Sequence, residues 1–290
     1  SFAITSQAYL HAHYGHFYQR PAWDDMFESV NQVQTGGTPR IGNPDLDPEK
    51  TVAFEVGVSW NPYADYLVDV TGFLKDVKNW INTRQGKYWY PEHFDTDLIG
   101  SNYAIFDNQD YAFARGVEFN FSKEYGGNYS GRLTYTLAWV NAKNSYNIST
   151  QAIRENYFPP PQALPAGWDQ RHSIVGNIGF KFGDNDPLFG IDWMPGGWSG
   201  NLLMSVASGL PYTPTDASHT RIEGQYMSKR TDWTSVADVN LTKYFKVRNL
   251  RPSLWLEVRN IFDRRNVLQV DDNYGRVGAP QAFDDFTGKP

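Results

Sequence analysis

Strict two-residue alternation is the feature that most restricts this chain. Between Thr51 and Trp60 the even positions Val52, Phe54, Val56, Val58 and Trp60 are apolar, while Thr51, Ala53, Glu55, Gly57 and Ser59 are small, polar or charged. Successive side chains of a strand point to opposite faces, so period two specifies a strand with one apolar and one polar face. About ten residues with an aromatic at the end of the apolar stripe is also the length a tilted strand needs to cross a bilayer. A half-buried strand of a soluble sandwich alternates in the same way. The number of such strands and the way they are joined must separate the two architectures.

The pattern recurs along the whole chain. From Ser6 to Gln19 one parity holds Ala8, Leu10, Ala12 and Tyr14 and the other Gln7, Tyr9, His11 and His13. After the strand at 51–60, Val68, Val70, Gly72 and Leu74 oppose Asp69, Thr71, Phe73 and Lys75, and Val117, Phe119 and Phe121 oppose Gly116, Glu118 and Asn120. A fifth strand sets Tyr129, Leu133, Tyr135, Leu137 and Trp139 against Ser130, Arg132, Thr134 and Thr136. Its end aromatics are spaced like the two interfacial belts of a membrane barrel. Four more strands are expected around Ile174–Phe182, Leu202–Val206, Ala237–Thr242 and Leu254–Arg259.

The connections alternate in length. Arg20 to Glu49, Lys78 to Ala112, Asn141 to Gln170 and Ser208 to Trp233 are long, whereas 61–65, 126–128 and 248–249 are tight turns and 183–197 is intermediate. Brief turns at one end and extended loops at the other characterise outer-membrane barrels, whereas sandwiches mix hairpins with Greek-key crossovers. The expected fold is therefore all-β, an antiparallel transmembrane barrel, in which Val56, Val58, Leu133, Leu137, Leu256 and Val258 face hydrocarbon and their neighbours face the lumen. The four long connections would be external. Nine strands leave two open edges, and an open edge in lipid strands backbone groups without partners, so a partial barrel is expected.

Composition agrees without deciding. A mean hydropathy of −0.56 does not argue against strands of which every second residue is polar. No apolar run approaches the roughly 18 residues of a spanning helix. The chain has no cysteine, which removes disulfide and thiolate chemistry. The formal net charge of −6, with no Lys/Arg cluster, excludes a phosphate-tracking surface for nucleic acid. Ser1 opens directly into strand-like sequence, so any export signal is expected upstream or already removed.

Five stretches carry a family resemblance: Y-G-H-F-Y-Q-R-P (14–21), N-P-D-L-D-P-E-K-T (43–51), W-D-Q-R-H (168–172), S-G-L-P-Y-T-P (208–214) and V-R-N-I-F-D-R-R-N (258–266). Together they resemble the C-terminal barrel portion of a TonB-dependent outer-membrane receptor, with details after Asn266 similar to the carboxypeptidase-regulatory-like, Oar-type branch. The resemblance implies a 22-stranded barrel of which residues 1–290 would supply strands thirteen to twenty-one, with the plug domain, TonB box and final strand not in this sequence. It implies TonB-coupled uptake of a bulky solute at the outer membrane of a Gram-negative bacterium. Expected partners are outer-membrane lipid, TonB through the plug region, a solute or peptide ligand and a surface lipoprotein. A passive porin or adhesin-like barrel stays open as an alternative, as does a secreted β-rich carbohydrate-binding protein.

No catalytic pattern competes. The sequence lacks G-x-S-x-G, G-x-G-x-x-G, a P-loop and H-E-x-x-H, so it reads as a non-enzyme with no cofactor. His11 and His13 share a strand face, with His16 on the other, and read as polar histidines of the wall and not as metal ligands. Asp45, Asp47 and Glu49 have oxygen-ligand spacing, but Pro48 and the missing glycine break a calcium loop. Asn43-Pro44 and Asp47-Pro48 hold the backbone extended and read as a device that packs a loop on the rim. Asn260 and Asp263 are expected to satisfy rim backbone groups. Tyr88, Trp89 and Tyr90, in a long loop, are the candidate ligand-stacking residues.

Overall fold

The computed structural model describes residues 1–28, 40–87, 102–124, 126–143, 162–214 and 224–266. Nine principal strands follow one another: β1 Ala8–Gln19, β2 Glu49–Trp60, β3 Tyr66–Lys87, β4 Asn102–Lys123, β5 Tyr129–Ala142, β6 His172–Phe182, β7 Trp198–Ala207, β8 Thr234–Tyr244 and β9 Ser253–Val258. Each pairs antiparallel with the next, so the order in the sheet is the order in the chain. Among the described residues β1 and β9 do not pair with each other, and the sheet is open at both sides. A helix, α1 Trp23–Phe27, lies in the first long connection.

Register carries the alternation across the wall. Tyr14 pairs with Phe54, Phe54 with Leu74, Leu74 with Arg115 and Arg115 with Trp139, so one outward row crosses five strands. The packing inverts that of a soluble sandwich. Buried residues are mostly small, such as Ala53, Ala112, Ala142 and Ala237, whereas Leu74, Ile178 and Leu256 are 55%, 59% and 56% exposed. Exposed contiguous apolar surface of this size needs a non-aqueous cover.

Turns gather at one end. Asp65 precedes β3 and accepts from Lys123 Nζ at 2.9 Å, closing the 61–65 and 124–128 turns against each other. That hydrogen bond holds the Asp65 carboxyl below its ordinary value of 3.8, with burial opposing it. The intermediate 183–197 connection folds back so that Phe189 packs on Phe180 and Phe182, with ring centroids 5.2 and 5.4 Å away. Val247 and Leu250 bond reciprocally across Arg248 and Asn249, a two-residue hairpin.

Two expectations need correction. β1 starts at Ala8 and not at Ser6, because the amides of Ile4 and Thr5 both donate to the Ala8 carbonyl and turn the chain. More substantially, 78–112 is not a loop throughout: β3 continues to Lys87 and its partner resumes at Asn102, giving two 22-residue strands. At ~3.3 Å per residue such a hairpin is roughly 70 Å long, more than twice what the bilayer core spans. Its upper part departs from clean alternation, with register shifts between Val77 and Trp80 and between Trp80 and Asn82. With water on both sides, neither face of that part must be apolar.

Candidate functional site

The end that carries the long connections is held by side chains. In the stretch 43–49, Asn43 Nδ2 donates to the Phe106 carbonyl at 3.1 Å, and Asp47 N–H donates to Asn108 Oδ1 at 2.8 Å. Asn108 Nδ2 returns bonds to the carbonyls of Asp47 and Asn79 at 2.9 and 2.8 Å. The Glu49 carboxylate accepts from Ile81 N–H at 2.9 Å, at the level where the β3–β4 register slips. Arg40–Ile41 adds a parallel rung beside Ala104 and Ile105. The segment is not extended throughout as expected: Pro44 and Asp45 form a turn in which Asp45 N–H donates to Asn43 Oδ1 at 3.0 Å, and from it the polar groups reach sideways to the hairpin. The expected rim-packing device is thus a brace for the projecting half of β3–β4. Backbone bonds from Gly42 to Glu28 and from Asn43 to Asp25 tie α1 to the same brace, leaving Trp23 and Phe27 stacked at 5.4 Å on its surface.

A second fastening joins the 162–171 segment to the connection between β7 and β8. Asp169 is fully buried and its carboxylate receives three donors: Val140 N–H at 2.9 Å, Arg171 Nη2 at 3.0 Å and Arg230 Nη2. Arg230 Nη1 also reaches the carbonyls of Asp169 and Gly209, at 2.6 and 3.1 Å. A buried carboxylate needs compensation of this kind. Ser208 and His172 exchange bonds, with Ser208 N–H on the His172 carbonyl and His172 N–H on Ser208 Oγ. Gly209 lies where a Cβ would strike the Thr231 backbone, so only glycine permits this approach. The stretches 168–172 and 208–214 are therefore two sides of one latch. Downstream of β9, Asn260 accepts from Arg264 N–H and returns a bond to its carbonyl, while Asn266 does the same with Ser235. Asp263 contributes differently from expectation, through a left-handed backbone with φ 47° and an amide bond to the Asn260 carbonyl.

The polar face of the wall has one compact cluster. Ser59 and Thr71 donate to the two Asp69 oxygens at 2.6 and 2.9 Å, and His11 Nε2 lies 3.0 Å from Thr71 Oγ1. Gly57 leaves room for the imidazole, which a side chain there would displace. Serine, histidine and aspartate meet here without forming a catalytic relay. The Ser59 proton is directed at the carboxylate, and His11 Nδ1 is 3.5 Å from Ser59 Oγ, so the imidazole is not set to take that proton. Farther along the same face Thr134 donates to Asn120 at 2.8 Å. The arrangement is a hydrogen-bonding wall, with the Asp69 carboxylate at its centre, suited to contact with polar surfaces.

The candidates from sequence scatter. Tyr88, Trp89 and Tyr90 lie outside the described residues. His13 turns to Phe17, with rings 6.3 Å apart, while His16 on the other face bonds the Tyr14 hydroxyl at 2.6 Å. Glu49 and the Asp47 backbone are engaged by the brace. Among the described residues no group of three or more His, Asp or Glu side chains is placed to hold a metal. Sequence reasoning missed Asp169 with Arg230 and missed Asn108. A glycine beside a proline-rich stretch hinted at the first, but nothing local pairs residues about sixty positions apart.

A family model described as TonB dependent receptor-like, beta-barrel, matches residues 1–261. No curated protein matches the chain by sequence. Among solved structures, the chain is similar to a variant of the ferric enterobactin receptor PfeA from Pseudomonas aeruginosa, with 17% identity and a TM-score of 0.61 over 91% of this chain and 34% of that one. It is similar to the outer membrane transporter YddB from Escherichia coli, with 10% identity and a TM-score of 0.61 over 91% of this chain and 36% of that one. The copper transporter OprC gives 18% identity and a TM-score of 0.51, over 90% and 32%. The chain thus spans about a third of the length of these structures. At these identities the likeness concerns the fold.

Proposed function

Because the chain belongs to the TonB-dependent receptor β-barrel family, we propose that it forms one wall of an outer-membrane receptor that takes up a bulky solute in a TonB-coupled manner. The observation that supports this most is the inverted packing: large apolar side chains stand exposed on one face of an antiparallel meander and polar ones line the other. In this reading residues 1–290 are the C-terminal part of the barrel, joined in the same polypeptide to a plug that TonB pulls.

The long-connection end is the outward mouth. A receptor for a large solute needs loops held in shape, since flexible loops lose ordering entropy on capture. The brace at 43–49 and the latch at Asp169 supply that order. The β3–β4 hairpin projects beyond the bilayer and carries Tyr88, Trp89 and Tyr90 in its connecting segment, so these aromatics are the proposed first contact for solute. The polar wall around Asn120 and Thr134 is the surface against which a plug or a passing polar solute would slide.

Uptake by cells depending on the full-length receptor tests this. Solute-limited growth should vanish on removing TonB, and Trp89→Ala should raise the solute concentration needed for half-maximal uptake. Uptake that persists without TonB would replace this reading with a passive pore.

A further inference from the structure

Resting on that outer-membrane reading, we propose that Arg115, with Trp139 beside it, is a docking site for the anionic phosphate of an outer-leaflet lipid headgroup. Arg115 stands on the outward face of β4, in the stripe Phe113, Arg115, Val117, Phe119 and Phe121. Its parity is fixed by Gly116, whose missing side chain leaves space for Phe73 on the polar face. In its row, Tyr14, Phe54, Leu74 and Trp139 are apolar or aromatic, so Arg115 is the one charged member.

Height follows from the flanking strand. On β3 the apolar stripe ends at Leu74, and the next outward residue, Asp76, is ion-paired with Lys78 at 3.6 Å. The boundary between hydrocarbon and headgroups therefore passes between Leu74 and Asp76, and Arg115 sits directly beside Leu74. Its guanidinium can rise past Phe113 into the phosphate layer while its methylenes stay among apolar neighbours.

Among the described residues no protein anion bonds Arg115, and the nearest outward carboxylate, Asp76, stands one position above its row. Arg115 is exposed and has no hydrogen bond or ion pair among the described residues. Nearby Asp76 is engaged by Lys78, and Glu118 points to the opposite face of the wall. At the other boundary, by contrast, the outward Lys243 is satisfied by the Gly196 carbonyl and lies 5.2 Å from the Trp198 ring. The Arg171 guanidinium lies 5.1 Å from the ring of Trp139, the cross-strand partner of Arg115, but is paired with Asp169, which leaves Arg115 as the uncompensated cation beside that indole. An unpaired planar fork beside an indole, at phosphate depth, matches a phosphate oxygen pair above an acyl chain.

The test uses full-length receptor titrated with phosphatidylglycerol and followed by native mass spectrometry, with phosphatidylcholine for comparison. Arg115→Gln should weaken phosphatidylglycerol binding about five-fold, the effect of removing one interfacial cation, and Arg115→Lys should recover part of it. Lys181→Gln, on the polar face of β6, should bind as the wild type does. Millimolar inorganic phosphate should not displace the lipid. Wild-type binding by Arg115→Gln, equal loss in Lys181→Gln, or displacement by inorganic phosphate would each overturn the lipid site. Failure of the receptor to enter nanodiscs at all would instead overturn the outer-membrane reading on which the site rests.

Discussion

Strands β3 and β4 pair without interruption from Tyr66–Lys123, through the row that joins Leu74 to Arg115, up to Val77–Ala112; above that the ladder slips twice before running on to Lys87–Asn102. The lower half carries Val68, Val70, Val117 and Phe119 outward and Asp69, Thr71, Glu118 and Asn120 inward. The upper half has no apolar stripe and is held by Asn43, Asp47 and Glu49 reaching across from another segment. One hairpin thus stands in two solvents. In lipid the environment organises the strand through its side-chain faces, and in water specific hydrogen bonds must do so.

The largest effect that could break this comparison is a charge on the lipid side of the lower region. Leu133→Arg should destabilise the barrel by about 2–4 kcal/mol, while Thr134→Arg, one residue along and facing inward, should cost far less. Reversible unfolding of the receptor in lipid measures both. Equal losses at the two positions would remove the distinction between faces.

Next comes the keystone of the water-side region. Asp169→Ala leaves two guanidinium groups without their carboxylate, but these are 28% and 29% exposed and can hydrate. The expected loss is about 2–3 kcal/mol, below the usual figure for breaking a fully buried pair. It should appear chiefly as faster proteolysis within 208–233, with the membrane band still heat-modifiable on gels. A loss spread evenly over the barrel would show that the two regions are not independent.

Asn108→Ala removes three hydrogen bonds from a solvent-exposed brace, for about 1–2 kcal/mol. Hydrogen exchange should rise at 43–49 and 79–83 and stay unchanged at 66–74. The smallest effect lies at the opposite end. The Asp65 carboxyl is held below 3.8 in the fold, so the stability this pair contributes is present above that value and is lost as pH falls through the lowered one. Lys123→Met should abolish that acid-dependent component below about pH 4 and leave neutral stability nearly unchanged, as expected for a half-buried pair at a solvated turn.

What was legible in the sequence divides along the same line. Period two placed all nine strands because lipid demands apolar residues at every second position, and Val56, Leu133 and Leu256 could be assigned a face from sequence alone. The strands above the membrane escaped notice because alternation is no longer enforced there: residues such as Asp107, Asn108 and Asp110 look like loop, yet they lie in β4. The motifs 43–51, 168–172 and 208–214 were visible as strings, and the 43–49 stretch packs on the rim as expected, though through Asn43, Asp47 and Asn108 and with a turn at Pro44. The partners that give them meaning, Asn108 and Arg230, are about sixty residues away, and no local pattern encodes such a pairing. Tyr88, Trp89 and Tyr90 remain candidates on residue chemistry alone.

β3 changes solvent between Leu74 and Asp76. Single cysteines at Val68, Val70, Leu74, Asp76 and Lys78 in the full-length receptor, reconstituted in lipid, can be challenged with a bilayer-confined maleimide and with a charged aqueous one. Labelling is expected by the confined reagent alone at 68, 70 and 74, and by the aqueous reagent alone at 76 and 78. Aqueous labelling along the whole series, or confined labelling continuing through 78, would contradict it.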